Sequence, residues 1–305
     1  MPVTGARLRT ELRIDSGATG TTIPAGGGAV VFMDVTYPRG HRAPHRLTHR
    51  FSVSYRIPGS ATQRVSFVGV PTTIGQRRAV RIAPPLRGSG WVDFNGCCAT
   101  ITAHRGAIEP INGTPYVPER FAIDFAQLNA QDHLFTGPLD QLSSYAYFGD
   151  PVYAVANGTI ARTHDGEPEQ VPGQEPVPGS TTVQSAGGNY IVIRIAPGEY
   201  AFYAHLKPGS LLVSPGQHVH TGQVIARLGD TGNASAPHLH FHVMSSPSPL
   251  RSNGLPYTLT SFRGAGVLTN PDAVFTGRPG SIAATALAGV HGDQLPLNNE
   301  VLDFP

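Results

Sequence analysis

The sequence predicts an all-β protein in two parts, an N-terminal antiparallel β-sandwich-like domain followed by a second β-sheet domain. Three observations carry this. There are 36 glycines and 28 prolines among 305 residues, a density of turn formers that leaves little room for long helices. Apolar and polar residues alternate with period two, as in Leu8, Thr10, Leu12, Ile14 and again in Phe51, Val53, Tyr55, Ile57, the mark of half-buried strands. The alternating runs are short and end at turns such as Pro58-Gly59 and Arg87-Gly88-Ser89-Gly90.

Taken in order, residues 1–103 form the first domain, with strands expected at Leu8–Ile14, Ala29–Tyr37, Phe51–Ile57, Val65–Val70, Ala79–Ile82 and Trp91–Phe94. His41, His45 and His49 recur every four residues, but Pro38, Gly40 and Pro44 among them make a solvated loop the expectation rather than a metal-binding helix face. Residues 104–263 form the second domain, with strands at Arg120–Phe125, Pro151–Val155, Gly158–Thr163, Tyr190–Ile195, Tyr200–His205, Gln223–Leu228 and His238–Val243. Between them, 164–188 is proline-rich and acidic, either a solvated insertion or one wall of a cleft. Residues 264–305 form a Gly/Pro/Ala-rich tail whose Val301, Leu302 and Phe304 can dock on a sheet.

Composition excludes several classes. A net charge of +2 is too balanced for nucleic-acid or membrane-surface binding through a large positive field. The longest apolar runs, Ala29–Met33 and Ile282–Val290, fall far short of the roughly 20 residues of a membrane-spanning helix. Met1–Thr10 has arginines but no apolar core, so no secretion signal is legible. Cys97 and Cys98 are adjacent, and free thiols in a turn are the expectation. No Gly-x-Ser-x-Gly occurs.

The residues that carry chemistry centre on Pro237-His238-Leu239-His240-Phe241-His242-Val243. On a strand the three imidazoles share one face while Leu239, Phe241 and Val243 enter the core. Clustered histidines disfavour one another's protonation, and a metal ion is the simplest user of their lone pairs. Asp124 on a second strand and His205 on a third add nitrogen and oxygen donors of the kind zinc takes.

From Gly149 to about Met244 the chain resembles the lysostaphin-type (LytM-like) zinc metalloendopeptidases that cut peptide cross-links of bacterial cell walls. The matching pieces are Gly149-Asp150-Pro151-Val152-Tyr153-Ala154, Gly188-Asn189-Tyr190, Tyr203-Ala204-His205-Leu206, Gly229-Asp230-Thr231-Gly232-Asn233 and Pro237-His238-Leu239-His240-Phe241. The resemblance implies a lysostaphin-type peptidase domain, one Zn2+ per chain, and a peptidoglycan or short Gly-rich peptide substrate met outside the cytoplasm. It assigns His240 and Asp124 as zinc ligands and His205 and His238 as the unligated histidines that handle protons. Tyr203, read as sharing a face with His205, can lend a hydrogen bond or simply pack.

One position departs from the family pattern. The first histidine of its HxxxD motif falls at position 120, where this chain has Arg120. Arginine cannot bind zinc, and a guanidinium ~4 Å from a divalent ion is repelled by roughly 8 kcal/mol at an effective dielectric of 20. An intact site needs Arg120 turned away and a third ligand from elsewhere: His104 first, then His133, then His242. His104 is either a relocated ligand or an ordinary strand-end histidine. His242, where the family has Glu, either orients a neighbour or caps the strand face. The alternative to an enzyme is a degenerate relative kept as a binding or scaffold module. A biotinyl- or lipoyl-carrier reading of Val155–Ile160 and Val219–Ile225 fails, because the sole lysine, Lys207, is not at a hairpin tip of that kind.

Overall fold

The computed structural model describes residues 12–14, 20–33, 44–75, 77–98, 101–175, 182 and 184–305. The described chain is all-β, with helical structure confined to turns of three or four residues. It divides into two compact units, Met1–Arg78 and Ala79–Pro305.

The first unit is built from antiparallel pairs, Leu12–Ile14 with Ala29–Val31, Arg46–Leu47 with Thr72–Thr73, and Arg50–Tyr55 with Gln63–Val68. The third pair is a hairpin whose period-two alternation sets Phe51 opposite Phe67 and Val53 opposite Val65. The two phenyl rings stack at 5.1 Å. Every residue of this hairpin is exposed. The expected strand positions Leu8–Glu11 and Asp34–Tyr37, and His41, lie outside the described residues.

The second unit is organised on one eleven-stranded antiparallel sheet. Its strands, numbered along the chain, are β1 (Gly88–Phe94), β2 (Ile123–Gln127), β3 (Gly158–His164), β4 (Asn189–Ala196), β5 (Glu199–Leu206), β6 (His218–Val219), β7 (Leu239–Met244), β8 (Phe262–Leu268), β9 (Ile282–Ala283), β10 (Gly289–His291) and β11 (Glu300–Phe304). The spatial order is β6-β3-β4-β5-β7-β2-β1-β11-β8-β9, with β10 also pairing β8. Trp91, Ile123, Phe125, Tyr203, Leu239, Phe241 and Val243 project from the central strands into the main core, and all are fully buried.

The division differs from that expected at 103/104. Val80–Ile82 pairs in parallel with Tyr257–Leu259, and β1 lies between β2 and β11. Both segments therefore belong to the second unit. The C-terminal residues are likewise part of the sheet, with β11 an interior strand between β1 and β8. Alternation reveals that a strand exists; its partner is chosen by long-range burial that no local pattern carries.

Candidate metal centre and active site

The floor of the site is a row of residues across four neighbouring strands. His240 on β7 stands opposite Ala204 on β5 and Asp124 on β2, and Asp124 stands opposite Phe94 on β1. Strict alternation along β7 sends Leu239, Phe241 and Val243 into the core and leaves His240 and His242 on the other face, as the sequence predicts. Both Asp124 oxygens have close polar neighbours. Oδ1 lies 3.0 Å from His240 Nδ1 and 3.4 Å from His238 Nε2; Oδ2 lies 3.1 Å from His104 Nε2 and 2.9 Å from the Asn95 amide nitrogen.

His104 arrives from outside the sheet. It sits on a one-turn helix, α1 (Ala103–Gly106), capped by Thr102, whose hydroxyl accepts the Arg105 amide at 3.3 Å. The sequence expectation of a strand end is thus replaced by a capped helical turn. His104 Nδ1 lies 3.1 Å from the Ala122 carbonyl, which can only accept, so the proton is on Nδ1 and the other nitrogen faces Asp124. One donor atom from each of His104, Asp124 and His240 lies within 4.8 Å of the others, a spacing at which a single ion can be held.

Other sequence candidates lie elsewhere. Arg120 is on an exposed turn with its guanidinium 5.2 Å above the Phe121 ring, outside the residues lining the cleft. His133 Nδ1 is spent on the Gly277 carbonyl at 3.0 Å, also outside the cleft. His242 is fully buried beside His240, its Nδ1 3.0 Å from His240 Nε2. With His242 accepting, His240 carries its proton on Nε2 and keeps the Nδ1 lone pair for the position shared with Asp124.

His205 reaches the site through a break in alternation. Between the pairs Asn189–Leu206 and Ile191–Tyr203, β5 advances three residues while β4 advances two, a β-bulge, and His205 has a left-handed φ of 59°. Tyr203 and His205 therefore do not share a face. The Tyr203 hydroxyl accepts the Val155 amide at 2.9 Å inside the core and does not reach the cleft, which leaves packing, of the two alternatives, as its part. His205 Nδ1 donates to the Thr231 carbonyl at 2.6 Å and His238 Nδ1 to the Ala236 carbonyl at 2.8 Å. Their rings are 4.5 Å apart and both line the cleft.

The electrostatics of the metal-free site follow from burial and mutual charge. Burial opposes a charged His104, but the Asp124 carboxylate outweighs it and the ring is pushed up to about 9. Burial likewise opposes a charged Asp124, yet His104 and His238 hold it well below the usual carboxylate range. His205 is driven well below the ordinary imidazole value by burial and then by its neighbours His238 and His240. For His238, Asp124 overcomes burial and raises the value.

The cleft above this floor has a volume of about 530 Å3. Glu175, Gln184, Ala186 and Gly187 line it, so the described part of the acidic 164–188 loop forms a wall. Asn95 and the carbonyls of Ala122 and Thr231 escaped the sequence reading. Asn95-Gly96 directly after a strand is a turn signal that marks a special backbone position; nothing local marks the carbonyls. Cys97 and Cys98, expected as free thiols, are joined in a disulfide in the loop between β1 and α1; adjacency in sequence does not reveal which way a turn directs two thiols.

Residues 143–252 match peptidase family M23. The chain is 29% identical to the peptidoglycan DD-endopeptidase ShyA of Vibrio cholerae over 104 residues, covering 34% of this chain and 20% of ShyA. It is 28% identical to ShyC of the same organism over 96 residues, covering 32% of this chain and 18% of ShyC. The match thus spans about a fifth of each relative's length. Among solved structures, the catalytic domain of lysostaphin from Staphylococcus simulans is 22% identical, with 56% of this chain and 88% of that one covered and a TM-score of 0.28.

Proposed function

The chain carries a peptidase family M23 domain over residues 143–252, and on that footing we propose that it is a zinc-dependent metalloendopeptidase hydrolysing peptide bonds in peptidoglycan cross-links. The observation that carries this is the convergence of His104, Asp124 and His240 to within 4.8 Å although position 120 is an arginine. The donor set fits the ion: two imidazole nitrogens and a carboxylate are a common catalytic zinc set that leaves a further position open. The outer partners fit as well, since the Ala122 carbonyl and His242 each fix the ring whose free nitrogen faces Asp124.

Zinc held by His104, Asp124 and His240 would supply Lewis acidity and lower the pKa of water at the open position. The chain's own residues do the rest. His205, with its proton fixed on Nδ1 by Thr231, presents Nε2 as an acceptor for the proton of an attacking water. His238, held through Nδ1 by Ala236, carries a proton on Nε2 against Asp124 and delivers it to the leaving amine. Glu175, Gln184, Ala186 and Gly187 give the cleft one wall along which an extended peptide can lie. The names of ShyA and ShyC support peptidoglycan as the substrate class, and action on the wall implies an extracytoplasmic location. No described helix is long and apolar enough to cross a membrane. Arg120, the feature that favoured a silent scaffold relative, lies on an exposed turn, which supports the enzyme reading.

Metal analysis of the purified chain tests this. About one zinc per chain is expected, lost in His104→Ala and kept in His133→Ala, with cleavage of cross-linked muropeptides lost in His205→Ala and His238→Ala while their zinc is retained. Absence of zinc from the parent chain, or equal retention in both the His104 and His133 variants, overturns the assignment.

A further inference from the structure

The relocated ligand poses a mechanical problem. Asp124 and His240 are fixed by the sheet, whereas His104 rides on a helix of one turn, too short to hold its own orientation. We infer that Asn95 is the positioning residue that ties the two halves of the metal centre together. It sits at the end of β1 with φ 59°, a left-handed conformation that Asn tolerates. Its amide nitrogen donates to Asp124 Oδ2 at 2.9 Å, and its carbonyl accepts the Thr102 hydroxyl at 2.8 Å. Thr102 is the cap of α1, and the same hydroxyl accepts the Arg105 amide at 3.3 Å.

One residue thus fixes the plane of the ligand carboxylate with its side chain and the origin of the ligand-bearing turn with its backbone. The loop it opens is anchored again by the Arg105 guanidinium, which donates to the Cys98 carbonyl, and by the Asn298 amide, which donates to the Cys97 carbonyl at 3.2 Å. Asn95 also lines the cleft, so its amide is at the site itself and not remote support. This role rests on the zinc-site reading above.

The two functions of Asn95 separate by substitution. Asn95→Gly keeps the left-handed backbone and the carbonyl that holds Thr102 but removes the amide. Asn95→Asp keeps the side-chain shape and turns the donor into an acceptor facing Asp124. Zinc affinity, measured by chelator competition, is expected to fall ~10- to 100-fold in Asn95→Gly and further in Asn95→Asp, while the metal-free melting temperature of Asn95→Gly stays near that of the parent. Thr102→Val should also lower the affinity and Thr102→Ser restore it. The visible spectrum of the cobalt-substituted protein should change in Asn95→Gly, a signature that general loss of stability does not produce. Parent-like zinc affinity in Asn95→Gly, with zinc present on the parent and lost in His104→Ala, overturns the role of Asn95 alone. A parent chain that binds no zinc overturns both.

Discussion

His240 and His104 face the same carboxylate from opposite kinds of support. His240 is one residue of a fully buried central strand, flanked by core residues Leu239 and Phe241, so the burial that stabilises the sheet also fixes its position. His104 is equally buried but stands on a capped turn whose register depends on a few hydrogen bonds. A strand-borne ligand is therefore lost only when the core is lost. A turn-borne ligand can be displaced while the fold stays intact, and it can also be supplied from a new place in the chain.

The comparison breaks most visibly at Phe241. Phe241→Ala should lower the unfolding free energy by ~3–5 kcal/mol in denaturant titration, removing the site only along with the fold. Thr102→Ala, on the turn side, should cost ~1 kcal/mol or less in the same titration. Zinc affinity should drop in the second variant without a matching loss of global stability; a proportional loss in both would mean that the turn is part of the sheet's cooperative unit.

A subtler contrast sets Asp124 against Asp230. Asp124 is held low by imidazoles, whereas Asp230 is pushed up to about 7, by burial first and then by Glu169, although His238 opposes the rise. Glu169 is also pushed up to about 7 by burial. Glu169 Oε2 accepts the Asp230 amide at 2.6 Å, and both Asp230 oxygens lack a hydrogen-bond partner among the described residues. A carboxyl whose folded value lies above its unfolded one contributes stability that is full below about 4 and is lost as pH rises through about 7. The stability advantage of the parent over Asp230→Asn, measured in denaturant, should therefore shrink from pH 5 to pH 8. A flat or rising difference would show that the carboxylate is ionised throughout.

The smallest effect is expected at position 120. Arg120→His supplies the family's missing histidine in sequence, but the turn directs that position to solvent. Zinc affinity should stay within about twofold of the parent, and the substitution should not rescue His104→Ala. A rescue would mean that the turn can swing into the cleft.

How much of this was legible beforehand depends on how local each feature is. The two-histidine face of β7, with His238 just before it, and its apolar back were written in period two. The all-β class was legible in turn density and alternation, and the family resemblance pointed to His205 and Asp124. His104 was reachable only as one of three candidates, because its claim rests on a contact with Asp124 across 20 residues of chain. Tyr203 was misplaced by the same rule that placed His240 well, since the bulge before His205 shifts alternation by one residue and leaves no trace in the apolar pattern. The boundary at 103/104 failed for a related reason, with β1 and β11 completing a sheet whose other strands lie far away in sequence.

By itself, then, the sequence determined most strands of the second unit, the buried back of β7 and the chemical character of the donors, because these follow from side-chain alternation and ligand type over a few residues. Tertiary structure alone decided which histidine lies beside Asp124 and His240, which way Arg120 points and what holds Asn95 against Asp124. Those outcomes depend on distances between segments brought together by burial, and a one-dimensional pattern does not contain them.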